Sequence, residues 1–347
     1  MTVALFLAWV AAAGAGEQRQ SPATGVQVIP DPPNRKVDVL IDGQPFTSYI
    51  YPTTLKKPVL FPLRTAEGVL VTRGFPPGAG ERTDHPHHVG LWFNYGNVNG
   101  IDFWNNSDAI KPQDQNKMGT IVHRDVIAAR SGPQKGELEV EADWLGPDQH
   151  PLLREHTVYV FRGSSGLRSV DRITTLTALE RKITFTDDKE GVLGLRVTRA
   201  MELPSEKPEV FSDASGRTTT VAAMDKDKSE VTGDYLTSEG KRGVGVWGTR
   251  GRWCSLSGRL GGQPVTITIL DHPKNPGFPT YWHARGYGLF AANPLGMKAL
   301  SNGKEELNFA LDPGNSVTFR YRVVILSEPA SSEHAQKLYQ EFVTAYP

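Results

Sequence analysis

Short β-type runs punctuated by turn chemistry limit the fold open to this chain more than any other feature. Turn pairs recur along it: Asp42-Gly43, Asn99-Gly100, Ser131-Gly132, Arg162-Gly163, Ser215-Gly216, Asn302-Gly303 and Pro313-Gly314. Glycine reaches positive φ at such positions without steric penalty, and Asn or Asp tolerates it. Between the turns lie runs that alternate apolar and polar side chains. The clearest are Thr157-Val158-Tyr159-Val160-Phe161 and Val265-Thr266-Ile267-Thr268-Ile269-Leu270. A period of two puts alternate side chains on opposite faces of a strand. Many such strands at even spacing predict an all-β chain folded as a large antiparallel β-sandwich. One amphipathic helix is expected, over 331–344. Ser331 or Ser332 can cap it, and Ala335, Leu338, Tyr339, Phe342 and Val343 share a face.

The N-terminus predicts export. An apolar run from Val3 to Val10 leads to Ala13-x-Ala15, a small-residue cleavage pattern. Residues 1–15 therefore read as a signal peptide, 16–33 as a polar, Pro-rich linker, and 34–347 as a single sandwich domain. The expected location is secreted or periplasmic. No later segment approaches the ~18 continuous apolar residues that a membrane-spanning helix needs. The 38 Lys and Arg residues balance 38 Asp and Glu, with no basic stripe. That argues against a nucleic-acid partner and suits a small molecule or glycan. Cys254 is the sole cysteine, so no intrachain disulfide can form, and its strand-like surroundings predict a buried thiol. The chain has no P-loop, no Rossmann glycine pattern, no His-Glu-x-x-His and no Gly-x-Ser-x-Gly. Nucleotide and serine-hydrolase chemistry are disfavoured accordingly.

The strongest candidate site is Arg82-Thr83-Asp84-His85-Pro86-His87-His88, which places three of nine histidines within four residues. Imidazole titrates near neutral pH and serves as acid, base or metal ligand. If the segment is extended, His85 and His87 point to one side and His88 to the other. His85 and His87 could then share a divalent metal, or divide acid and base roles between them. Immediately downstream, Trp92, Asn94, Asp102 and Trp104 interleave aromatic rings with amide and carboxylate groups. Sugars present C–H faces that sit on rings and hydroxyls that need forked polar partners, and this mixture offers both. A third run, Tyr281-Trp282-His283-Ala284-Arg285-Gly286-Tyr287, would as a strand place His283, Arg285 and Tyr287 on one face, with Asn293 a few residues on. Such a face can bind an oxyanion and supply a proton. His123 is expected to enter the same pocket from a neighbouring strand.

The runs Asp84–Asn105 and Tyr281–Gly296 resemble those of exported bacterial proteins of the PmoA-like family, named for a methane oxygenase. The resemblance covers most of the chain, from about Val37 to Val324. The layout is also similar to the supersandwich of galactose-mutarotase-like proteins. That resemblance implies a His and a carboxylate acting as acid and base on a sugar ring, often with a second His and an Arg. His87 or His88 would be the histidine and Arg64 or Arg73 the arginine; no motif places the carboxylate, for which Glu202 and Asp271 are candidates.

Three functions follow in order of preference. The first is an exported carbohydrate-active enzyme: an epimerase, lyase or hydrolase with His85, His87, His88, His283 and Arg285 in catalytic roles. Arg82, Asp84, Trp92, Asn94, Asp102, Trp104, His123, Tyr287 and Asn293 would bind its substrate. The second is a non-catalytic glycan-binding protein, and the third a copper-dependent oxygenase, as the family label suggests.

Overall fold

The structure, a computed structural model, describes residues 24–205, 208–212, 218–221, 231–329 and 331–347. The expected signal peptide lies outside the described residues, as does the Ser215-Gly216 turn.

Two eight-stranded antiparallel sheets form a sandwich. In spatial order the first sheet contains Val26–Asp31, Lys36–Ile41, Gln44–Ile50, Val59–Leu60, Leu91–Tyr95, Gly191–Arg196, Leu289–Asn293 and Tyr281–Ala284. The second contains Asp234–Thr237, Trp253–Leu260, Gln263–Leu270, Ser316–Leu326, Leu167–Ala178, Pro151–Ser164, Gly136–Leu145 and Thr120–Arg130. Val26–Asp31 pairs along its whole length with Lys36–Ile41, so the sheet begins inside the stretch expected to be linker. Alternation in that strand is masked by Pro30 and Asp31, which an edge strand tolerates.

The inner faces meet in one core. Leu91, Phe93, Leu193, Leu195, Phe290 and Ala292 of the first sheet pack with Leu138, Val140, Phe161, Ile267 and Val323 of the second. Each fully buried aliphatic or aromatic side chain contributes about 1.5–3 kcal/mol of transfer free energy. A charged network also lies in this core. Arg172 donates to Glu155 (2.5 Å), Tyr159 (2.6 Å) and Thr174 (2.9 Å), and Trp144 Nε1 donates to Glu155 (2.9 Å). Every partner in it is hydrogen-bonded, which is the condition for tolerating buried charge.

Both outer faces are covered as well. The helix Ser332–Ala345 is capped by Ser331, whose hydroxyl accepts from His334 N at 3.2 Å. It lays Ala335, Leu338, Tyr339 and Phe342 on Trp253, Leu270, Val324 and Leu326 of the second sheet. Cys254 is buried in its strand, as expected. His272 is buried, its ring edge-on to Phe342 at 5.3 Å.

On the outer face of the first sheet, Trp92, Leu289 and Ala291 join Val59, Val89, Trp104 and Tyr287 in a separate apolar cluster. This double burial explains why Leu91–Tyr95 is buried at all five positions. The histidine loop sits over this cluster.

Candidate functional site

The histidine segment is a turn, where an extended strand was expected. Residues 81–90 carry no strand, and His85 takes a left-handed φ of 47°. His88 N donates to His85 O at 2.9 Å, closing a four-residue turn with Pro86 in its second position. The turn brings all three imidazoles to one place. His85 and His88 stack with centroids 4.7 Å apart and planes 7° apart. His87 meets His88 edge-on at 4.3 Å and His85 at 5.6 Å.

Two buried arginines hold this turn in place. Arg73 Nη1 donates to the carbonyls of Asp84 (2.6 Å) and Arg82 (3.2 Å), and Nη2 to those of His85 and His88 (2.9 Å each). Arg196, at the end of its strand, donates from Nη2 to Asp84 Oδ1 at 3.0 Å. Both side chains of that pair are wholly buried. Asp84 Oδ2 in turn lies 2.5 Å from His85 Nδ1. Burial alone would raise the Asp84 carboxyl, but the His85 hydrogen bond and the Arg196 charge outweigh it and hold it well below the usual range. Asp84 is therefore a carboxylate that keeps the His85 proton on Nδ1 and leaves Nε2 free to accept one. Arg196 Nη1 also reaches His88 Nδ1 at 3.3 Å. A guanidinium only donates, so His88 carries its proton on Nε2. Burial, reinforced by neighbouring cations, pushes His87 and His88 well below the ordinary imidazole range, so both are neutral.

The rings form one column. Tyr287 stacks on His85 (5.0 Å, 6°), His85 on His88, and His88 on Trp92 (5.1 Å, 20°). Trp104 closes the lower end against Trp92 at 5.2 Å. Gly194, opposite Trp92 in the sheet, makes room for both indoles: a Cβ there would lie 2.4 Å from the Trp92 ring and 3.0 Å from Trp104. Beneath the turn Lys57 donates to His87 O at 2.8 Å and lies 5.5 Å from the centre of the Trp92 ring. Burial brings its amine down from 10.5 to about 7.

The third expected constellation is only partly assembled. The strand Tyr281–Ala284 ends before Arg285, and residues 285–288 turn back, with Gly288 N donating to Arg285 O at 3.1 Å. His283, Arg285 and Tyr287 therefore do not share a strand face. Tyr287 folds over His85, whereas Arg285 is exposed with its guanidinium 5.6 Å from the centre of the Trp247 ring. His283 stays on the outer face, in the row Trp92, Gly194, Ala291, His283 across four strands. Its Nδ1 lies 3.8 Å from Glu190 Oε2. Burial pushes His283 down to about 4. Burial also works to raise Glu190, but His283, Lys189 and His85 together hold it below its ordinary value. Glu190 was not singled out from the sequence. Its only signal there was the period of two shared with Val192, Gly194 and Arg196.

Several expected residues are engaged in contacts within the fold. Asp102 accepts from Trp104 N (2.8 Å), Asn105 N (2.9 Å) and Asn105 Nδ2 (2.8 Å), and so shapes the bend that delivers Trp104. Asn94 donates to Phe103 O at 2.6 Å, and Asn293 to Asp188 O at 2.9 Å. Arg82 is ion-paired with Glu202 at 2.7 Å, and both are buried. Asp271 accepts from Asn275 and Thr280, 2.8 Å each, and anchors a loop elsewhere. Arg64 binds Gly68 O in a local turn. His123 lies in a cleft of about 160 Å³ with Tyr51, whose ring is 3.9 Å away. Of the two arginines considered, Arg73 is the one at the histidines.

Among the described residues no three His, Cys, Asp or Glu side chains are grouped to hold an ion, so the expected pair of His85 and His87 has no third ligand of those types beside it.

Fold and site together define a two-sheet β-sandwich carrying a histidine turn on the outer face of one sheet. Residues 36–340 match the family described as "Family of unknown function (DUF6807)", and the chain belongs to that family. The PmoA-like name expected from the motifs is not the one the match carries. No curated protein matches the chain. Among solved structures it is similar to a GH36 α-galactosidase from Geobacillus stearothermophilus, at TM-score 0.40 and 11% identity over 88% of this chain and 41% of that one. It is similar to a putative aldose 1-epimerase from Escherichia coli K12, at TM-score 0.36 and 8% identity over 87% and 99%. A galactose mutarotase related enzyme from Lactobacillus acidophilus matches at TM-score 0.30 and 10% identity over 88% and 99%. The chain spans about two fifths of the length of the α-galactosidases it matches. Among the described residues no helix is long and apolar enough to cross a membrane.

Proposed function

We propose that this chain is a carbohydrate-active enzyme working by proton transfer at His85. The observation that carries this reading is the Asp84–His85 pair. A carboxylate kept ionised by Arg196 orients an imidazole through Nδ1 and stabilises the imidazolium formed when Nε2 takes a proton. His85 is also the one member of the histidine cluster whose side chain reaches the surface, at 19% exposure. His87 and His88, buried and neutral, support it from below. Glu190 and His283 supply a second carboxylate–imidazole pair on the same sheet face, able to return the proton on the other side of a bound ring. The Tyr287 ring offers an apolar surface for sugar C–H groups.

The test is ¹H NMR of the purified protein with aldoses, uronates and their glycosides in D₂O. It reads anomer interconversion, C–H to C–D exchange and new products together. Replacement His85→Gln should lower turnover by ~10²–10⁴-fold, the usual span for a general acid or base, and leave the thermal midpoint nearly unchanged. A folded His85→Gln protein with wild-type turnover would remove His85 from the chemistry.

A further inference from the structure

The buried polar atoms of the ring column are strongly unbalanced. His88 Nε2, Trp92 Nε1, Trp104 Nε1, Arg73 Nε and Arg196 Nε are all N–H donors, and none finds a hydrogen-bond partner among the described residues. Unused acceptors are fewer: Asn94 Oδ1 and one of the two ring nitrogens of neutral His87. The donors belong to touching groups. His88 lies 5.1 Å from Trp92 and 5.8 Å from Trp104, and Arg196 is bonded to His88 itself. An unsatisfied buried N–H costs about 1–3 kcal/mol, so a surplus of this size is unfavourable in the fold alone.

A sugar hydroxyl both donates and accepts, so a site for a neutral sugar needs donors and acceptors in comparable number. A carboxylate only accepts. The charges around the column point the same way. Asp84 is shared between Arg196, Arg73 and His85, and Asp102 is saturated by three N–H groups. Lys57 has no carboxylate within ion-pair distance among the described residues, and its amine lies against the Trp92 ring.

We propose that this site binds a carboxylate, and that the substrate class is acidic sugars: uronic acids or their glycosides. The inference rests on the sugar-enzyme reading above and narrows it. The reacting carbon lies at His85, the member of the cluster that reaches the surface, and the carboxylate lies deeper, toward Lys57 and the two indole N–H groups.

The experiment is calorimetric titration and thermal-shift measurement of the full chain with sodium glucuronate, sodium galacturonate, glucose and galactose. Sodium chloride and sodium acetate at equal ionic strength serve as controls. The uronates should bind at least ~10-fold more tightly than the neutral sugars, since one charge-assisted hydrogen bond is enough for such a factor. Lys57→Met, which removes a donor at nearly constant bulk, and Trp104→Phe, which removes the indole N–H and keeps an aromatic ring, should each weaken uronate binding by ~10-fold, with thermal unfolding in the absence of ligand showing that both variants fold. Neutral sugars binding as well as the uronates, or better, would overturn the acidic-sugar assignment and leave the enzyme reading standing. Acetate stabilising the fold as much as a uronate would show a plain anion site and overturn the sugar part. If neither uronate nor neutral sugar binds, the enzyme reading falls with it.

Discussion

Lys57 allows the electrostatics of the site to be measured without a substrate. Its side chain is buried, bonded to His87 O, and its amine titrates in the fold at about 7, against 10.5 when free. Across that window the unfolded chain holds a proton that the folded one lacks. Folding stability therefore rises with pH, by about 1.4 kcal/mol per pH unit for one such group. Between about pH 7.5 and 9.5 the gain attributable to Lys57 comes to about 2.5 kcal/mol. Lys57→Met cannot titrate, so its stability should be flatter over the same range by that amount. At neutral pH it forgoes the hydrogen bond to His87 O, a loss of about 1–2 kcal/mol set against relief from burying an amine. Urea unfolding of both proteins at four pH values, followed by tryptophan fluorescence, yields the difference in slope directly. Other titrating groups contribute too; they are common to both proteins and cancel in the difference. Parallel stability–pH curves would mean that Lys57 is as well solvated folded as unfolded, and the account of the buried amine would be wrong.

Gly194→Ala should destabilise the fold by about 1–3 kcal/mol, because its Cβ would lie 2.4 Å from the Trp92 ring; a thermal midpoint unchanged by the substitution would contradict the packing described. Acid should weaken the fold through His283, which stays neutral down to about pH 4 when folded but takes a proton near 6.5 when unfolded. Stability should fall as pH drops through that interval, by up to about 3 kcal/mol, and His283→Gln should flatten the descent in a guanidinium titration series. In the core, Arg172→Met leaves Glu155 charged without its ion-pair partner and should cost about 3–5 kcal/mol at neutral pH, measured by chemical denaturation. The double replacement with Glu155→Gln should recover part of that loss.

Much of the architecture was legible because β periodicity and turn chemistry are local. The alternating runs at 157–161 and 265–270 became strands of the second sheet, and Ser331 capped the helix it was expected to cap. The site was legible only as a neighbourhood. Three histidines with Asp84 and Arg82 marked a loop whose imidazoles do come together, but the extended geometry assumed for them was wrong. A residue before proline usually extends. His85 instead turns left-handed, because Arg73 gathers the carbonyls on either side of it. The same assumption misplaced Arg285, since the turn at 285–288 breaks the alternation that would have aligned it with His283.

From the order of its residues alone, this chain was committed to a β-sandwich with a C-terminal helix and to three histidines crowded beside Asp84. Which groups serve those histidines was settled only by tertiary packing. Arg196 is 112 positions from the Asp84 it holds, and Lys57 is 30 from the carbonyl it supports. Glu190 meets His283 across the sheet. Pairing of distant strands decides which side chains share a face, and burial then decides their charge. Neither quantity is a property of any short stretch of sequence.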